Sequence, residues 1–452
     1  MSIQVSPAPA TSKTTQPDRA AYLVQLLSQR LDLDDTQLSP SAIAWLKELR
    51  HQAVAQVQAS RLPTTRDEEW RFTDLSRLLS TDFEAASLDG AAVTLDQLTD
   101  AVIPEAIAQL VFVDGIYAPD LSTVGDLPDG AIVGHLLDSA VYDQVAESLP
   151  KYLAQQPSGD VFADLNTAGL TDVAILWTKR NVELSAPVHV LYVSTSDRPT
   201  FSQPRCLAIA EPNSALSLIE TYVGVGSGAY YTNPVTEIWA DENAAVTHVR
   251  VQNDHTDAVH ISRTAVTQQR SSRYHLHDIG LGAALSRRNL DTFHQGEQVE
   301  TVLNGLTIAN GTQLSDTHSL IDYTQPYGSS RQLHKCIVDD KAHTVFNGKV
   351  NVPKPAQMTD AGQLNRCLLL SPKAKVDTKP QLEITADNVK CTHGATVSQL
   401  DSNEVFYFQS RGIDAMQAQS LLIQAFAFEI LDEIPVDSVR SRLMTLISTY
   451  TR

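Results

Sequence analysis

Residues 388–397 read NVKCTHGATV, and within this run Cys391 and His393 pose the sharpest chemical question in the chain. Residues two apart on a strand project from the same face, so a strand here presents a thiol and an imidazole together to one metal ion or cluster. The same spacing recurs at His334 and Cys336. Neither pair completes a site by itself, because a closed zinc site takes about four protein ligands and no paired Cys-x-x-Cys spacing supplies the rest. A metal at either pair has to borrow ligands from distant segments or from another chain. On the residues alone the plainer alternative stays open: cysteine is often buried as a small apolar side chain, and a histidine beside it finds a backbone hydrogen bond.

Nine of the thirteen histidines fall between residues 255 and 393, and three of the four cysteines between 336 and 391, so the potential ligands gather in one part of the chain. The run RYHLHDIG at 273–280 sets His275 and His277 on one strand face beside Asp278, which a solvated polar face explains. Signatures of other chemistries are missing. The Gly348-Lys349 pair has His343 where the first glycine of a phosphate loop would fall, so the chain is not expected to hydrolyse ATP by itself. GVGSG at 224–228 spaces its glycines wrongly for a dinucleotide turn, and neither a Gly-x-Ser-x-Gly elbow nor a His-Glu-x-x-His helix occurs.

Composition narrows the partners. The 452 residues are 42% hydrophobic and 19% charged, ample for a sizeable core and for roughly two to four structural units. With 34 basic against 53 acidic residues the net charge is -19, which repels phosphate backbones and anionic lipid surfaces, so neither nucleic acid nor membrane is an expected partner. The start, MSIQVSPAPATSKTTQP, lacks the zones of a secretory signal and reads as a disordered polar tail. Cysteines scattered at 206, 336, 367 and 391 do not form a disulfide framework, and a reducing, cytoplasmic location is expected.

The elements that must position these residues change rhythm along the chain. Tyr22, Leu23, Leu26 and Leu27, then Ile43, Leu46 and Leu49, recur at three and four and predict two amphipathic helices separated near Pro40. From about residue 172 short alternating runs predict strands, with Asn-Gly pairs at Asn304, Asn310 and Asn347 as turns. EPNSALSLIE and DENAAVTHVR place Asn213 and Asn243 alike before a strand, 30 residues apart. That period suits one coil of a solenoid, whose stacked coils share a core that no single coil can bury. A mainly β fold with a parallel β-helix core is therefore expected over an antiparallel sandwich. The expected organisation is a disordered tail at 1–17, a helical and mixed region at 18–170, the β-helix core at 171–410 and a helical region at 411–452.

Three stretches in this order, PTTRDEEWRFTDLSRLL at 63–79, NVKCTHGATVSQLD at 388–401 and FYFQSRGI at 406–413, are followed by the helical LLIQAFAFEIL. Together they resemble the SufB/SufD family, the scaffold subunits of the SUF iron–sulfur cluster assembly machinery, over most of the chain. The Cys-Thr-His-Gly-Ala-Thr run resembles the SufD form, where SufB-like chains carry a glutamate-bearing variant. The resemblance implies a right-handed parallel β-helix flanked by N-terminal and C-terminal α-helical segments.

It also implies a non-catalytic scaffold that pairs with a SufB-like subunit through the β-helices and with a SufC-like ATPase, which supplies ATP hydrolysis, through the C-terminal helices. A nascent iron–sulfur cluster, or iron, would form transiently at the SufB–SufD interface and pass to apo-proteins, with none permanently bound by the isolated chain. The match places the interfacial histidine at His393 and the motif cysteine at Cys391. Leu421, Leu422, Phe426 and Ile430 form the apolar face expected to dock the ATPase, although helical spacing does not separate that role from intramolecular core. Two other readings remain: a purely structural β-helix protein, homodimeric and without a metal role, and a carbohydrate-active β-helix enzyme recognisable by a carboxylate cluster on an external face.

Overall fold

From Val188 onward the chain winds in coils of about thirty residues, each laying one strand in each of two parallel sheets. The computed structural model describes residues 18–29, 38–85, 93–157, 159–196, 198–226 and 228–450, and the tail expected at 1–17 lies outside them. One sheet stacks strands from Val188–Ser196 through Ala215–Gly226, Ala245–Asn253, Arg273–Gly280, Glu300–Ala309, Ser329–Val338 and Asp360–Leu369 to Lys390–Gln399. The other interleaves strands from Arg205–Ala210 to Lys375–Ile384. The result is a parallel β-solenoid of about seven turns with flanking helices.

The sequence period has a structural basis. Ala215 pairs with Ala245 and Asp360 with Lys390, one coil apart. Asn213 and Asn243 stack in a ladder that Asn181 extends, with Nδ2 of Asn243 donating to Oδ1 of Asn213 at 3.0 Å and Nδ2 of Asn213 to Oδ1 of Asn181 at 3.0 Å. All three hold positive φ, a conformation asparagine tolerates better than most residues. Two of the three Asn-Gly pairs are not turns: Asn304-Gly305 and Asn347-Gly348 lie within strands Glu300–Ala309 and His343–Val352. Their glycines make room inside the solenoid, since a Cβ on Gly305 would fall 2.2 Å from the His334 ring and one on Gly348 2.3 Å from the Gln363 amide.

The interior mixes apolar rungs such as Leu218, Leu276 and Leu303 with a largely buried polar network. His248 lies 2.8 Å from Glu220 and 3.0 Å from the Tyr274 hydroxyl, while Arg250 and Arg288 grip Asp278 at 2.9 and 2.8 Å. Burial pushes the Asp278 carboxyl up, but the two guanidiniums outweigh it and hold it well below the usual carboxylate range. Asp278 therefore faces inward, and the expected solvated face at 273–280 is only partly so: His275 is exposed beside Glu300, whereas His277 is buried.

Helices cover both outer faces. Ala415–Leu431 and Asp437–Tyr450 pack Ile423, Ala427, Ile430, Leu443 and Ile447 against Ile279, Leu306, Ile337 and Leu368 of one sheet. Arg19–Ser28 and Pro40–Ala59 lie over the other, where Tyr22, Leu26 and Val57 share a cluster with Val259, Ile261 and Leu285. No described helix is long and apolar enough to cross a membrane. The region 18–170 also contributes strands: Ala108–Val113 runs parallel to Val188–Ser196, and Ala131–His135 runs antiparallel to Ala174–Thr178, closing the first end of the solenoid. At the other end the last strand stops at Gln399, and a helix Ser402–Ser410 capped by Asp401 begins before residue 410.

Candidate functional site

Lys390–Gln399 is the last rung of its sheet. It pairs with Asp360–Leu369 on one side, and no described strand covers its other edge; the same holds for Lys375–Ile384 beyond His343–Val352. Two ten-residue edges thus lie open side by side, a geometry that invites pairing with another chain. Pro380 removes one donor from the first edge. In the second, the Lys390 N–H donates inward to the Thr359 carbonyl at 2.8 Å, so by alternation the amides of Cys391, His393, Ala395 and Val397 point outward.

Cys391 and His393 both continue interior columns, as the spacing predicts. Cys391 stacks above Ala361 and Ser330, and His393 above Gln363 and Gln332. At this rung the interior meets solvent. Cys391 is half-buried and, like Leu382 and Val389, packs against the apolar interior; that burial pushes its thiol up. His393 is exposed. Among the described residues no group of three or more His, Cys, Asp or Glu side chains converges to hold a metal.

The other sulfur-bearing candidates lie deeper and separate from this pair. His334, Cys336 and Cys367 are buried inside the solenoid, with His334 3.1 Å from Thr307 Oγ1 and stacked on Phe346 at 5.0 Å between centroids. The expected docking face divides. Ile430 is 0% exposed and belongs to the helix–sheet core, so its assignment to a partner surface is corrected to intramolecular packing. Phe426 and Leu422 are half-buried, and Leu421 is 44% exposed. Within the C-terminal helices the large exposed apolar side chains are Phe406, Tyr407, Met416, Leu421 and Phe428, and helix Ser402–Ser410 buries none of its residues. The available signal was FYF at 406–408, three consecutive aromatic residues that a helix spreads round its surface and cannot bury on one face.

The external face of the second sheet carries polar clefts, the larger of roughly 700 Å³, between the rungs and the segment 59–72. Most of its carboxylates have side-chain partners: Asp291 pairs with Arg263 at 2.9 Å, Asp316 with Arg287 and Asp67 with Arg61, Glu69 lies 3.1 Å from the His318 ring, and Asp160 accepts from Asn289 at 3.1 Å. The PTTRDEEWRFTDL segment straps this face, with Arg287 donating to the Glu69 carbonyl at 2.9 Å and Lys379, several rungs away, bonding Glu68 at 2.6 Å.

Known families and proteins match most of this chain. Residues 25–190 match the family described as SufBD protein N-terminal region, and residues 192–426 that described as SUF system FeS cluster assembly, SufBD core domain. An iron–sulfur cluster assembly SufBD family protein of Synechocystis sp. is 47% identical over 86% of this chain and 88% of its own length. The protein ABCI7, chloroplastic, of Arabidopsis thaliana is 34% identical over 90% of this chain and 87% of its own. The iron–sulfur cluster assembly protein SufD of Escherichia coli is 30% identical over 92% and 94%. Two adjoining matches that run from residue 25 to 426, on a parallel β-solenoid, make this chain a member of the SufBD family, with a role in iron–sulfur cluster assembly by the SUF system.

Proposed function

We propose that this chain is a non-catalytic scaffold subunit that forms one half of a cluster-assembly site, with the open end of its solenoid as the docking edge for a SufB-like chain. The observation that carries the reading is the coincidence of two features on one strand: Lys390–Gln399 is both the uncovered edge and the bearer of Cys391 and His393. An edge strand pairs by main-chain hydrogen bonds, and pairing there brings a second chain's side chains within reach of the His393 imidazole. Neutral imidazole ligates ferrous iron through its free ring nitrogen, and Cys391 is the nearer sulfur, although its raised thiol makes it the weaker candidate.

The iron–sulfur cluster is cargo in this reading, assembled between chains and released when their contact opens. Energy for that opening would come from a SufC-like ATPase docked on the C-terminal helices, where Phe406, Tyr407, Met416, Leu421 and Phe428 supply an exposed apolar face. In the absence of a SufB-like partner the same edge suits a homodimer. Four free cysteines favour a reducing compartment such as the cytoplasm, while the Arabidopsis relative is named as chloroplastic.

The test is anaerobic reconstitution of this chain co-purified with SufB-like and SufC-like partners, measuring iron and acid-labile sulfide in wild type and His393→Ala at equal subunit ratio. Loss of most of the bound cluster from an intact His393→Ala complex is expected. Unchanged cluster content in that complex would return Cys391 and His393 to packing roles.

A further inference from the structure

Cys336 and Cys367 are direct register partners on neighbouring parallel strands, one coil apart. Each is 1% exposed, inside the solenoid. Neighbouring strands run roughly 4.8 Å apart, within the roughly 4.4–6.8 Å Cα separation that a disulfide spans. Cysteines that merely fill space need no polar neighbours, yet these have several. Cys367 Sγ donates to Asn365 Oδ1 at 3.2 Å, and Asn365 Nδ2 lies 3.9 Å from Cys336 Sγ. Asn365 is wholly buried and His334 nearly so.

The two sulfurs are unequal. The neighbouring Cys367 thiol, His334 and Asn365 together outweigh burial and hold Cys336 well below the usual thiol range. Cys367 is pushed far up, by the Cys336 sulfur beside it and by burial. One sulfur is thus poised as nucleophile and the other as the proton-bearing partner beside it.

We propose that Cys336 and Cys367 form an internal dithiol–disulfide couple that is oxidised by hydrogen peroxide entering at the open end of the solenoid. The Cys336 sulfur attacks one peroxide oxygen; the O–O bond breaks, water leaves and Cys336 becomes a sulfenic acid. The Cys367 sulfur then attacks the Cys336 sulfur, the S–O bond breaks, and hydroxide departs with the Cys367 proton as a second water. Two thiols and one hydrogen peroxide give one disulfide and two waters, the peroxide accepting the two electrons.

Access is short. The rung above Cys367 is Val397, 49% exposed on the terminal strand. Cys391 is more open to solvent, but its register partner is Ala361, so no second sulfur stands beside it along the ladder. The proposed bond ties Ser329–Val338 to Asp360–Leu369, the two rungs directly beneath the terminal strand.

The experiment treats the folded, reduced full chain with hydrogen peroxide, alkylates remaining thiols, digests without reduction and maps the peptides by mass spectrometry. A dithiothreitol-reversible peptide pair joining Cys336 to Cys367 is expected in the wild type and, undiminished, in Cys391→Ser. Cys367→Ser should stop at a Cys336 sulfenic acid trapped by dimedone. Should that variant not fold, the wild-type and Cys391→Ser maps decide alone. Full alkylation of Cys336 and Cys367 after peroxide, with oxidation confined to Cys391, or a cross-link formed only in urea, overturns the proposal.

Discussion

His294 sits wholly inside the solenoid, its Nε2 2.7 Å from Thr301 Oγ1 and its ring 4.4 Å from that of Tyr323. Burial lowers its pKa to about 3, as it lowers His189 to about 3 and His277 to about 4. In the unfolded chain each returns to about 6.5, so the unfolded state takes up protons that the fold refuses. Their contribution is complete above about pH 6.5 and is lost as pH falls towards the folded values, at about 1.4 kcal/mol per pH unit for each group. The buried carboxylates Asp278 and Asp316, held low, act in a separate window below about pH 4. His294→Gln should flatten the fall in stability between pH 6 and 5 by about 1.4 kcal/mol, read from urea unfolding at both values; an unchanged slope would mean His294 is already open to protons in the fold. Alternation revealed that Cys391 shares a face with His393 and His275 with His277, but a period of two does not say which face is inward. That is why Asp278 read as surface. The Cys336–Cys367 contact needed the coil length applied as a register, which the irregular turn lengths between strands conceal.

Lys335 joins two elements that the sequence shows only separately. It lies between His334 and Cys336 but projects to the opposite face, where its side chain is 2% exposed and its ammonium bonds Glu429, donates to the Phe426 carbonyl at 2.7 Å and sits 4.4 Å from the Phe426 ring centroid. Arg366, one rung on, reaches Glu429 at 3.3 Å. The latch fixes Ala415–Leu431 to the solenoid at the point where Ile423 and Ile430 already bury apolar surface. Lys335→Ala removes a charge-assisted hydrogen bond and a cation–π contact and should cost about 2 kcal/mol. Hydrogen exchange should then quicken across residues 415–431 more than in the strands beneath them. Equal protection of that helix in both proteins would show that apolar packing alone holds it. Helix periods at 18–60 and 415–450 were legible because each helix has one apolar stripe; which part of the second stripe faces inward was not, since Leu421 and Ile430 look alike until the sheet beneath them is known.

At the scale of the molecule the two ends of the solenoid differ, and the difference organises the protein. The first end is closed by Ala108–Val113 and Ala131–His135, strands recruited from a region whose sequence reads as helical and mixed because they are brief and outside the thirty-residue repeat. The second end is left open, and there the repeat simply stops, so the period exposed the coil without exposing its edge. A proline tests the edge directly, because its ring occupies the place of one N–H. The Ala395 amide points outward by the alternation that the Lys390 bond to Thr359 sets, so Ala395→Pro blocks pairing on the open side while sparing the ladder to Asp360–Leu369. Thr396→Pro, one residue on, cuts that internal ladder instead and should cost the chain about 2 kcal/mol of its own stability. Ala395→Pro should keep the thermal midpoint near that of the wild type while weakening binding of a SufB-like partner at least tenfold, or about 1.4 kcal/mol, by calorimetry. A complex of unchanged affinity would mean that the partner approaches by another face, and that the open strand and its histidine stand apart from the docking contact.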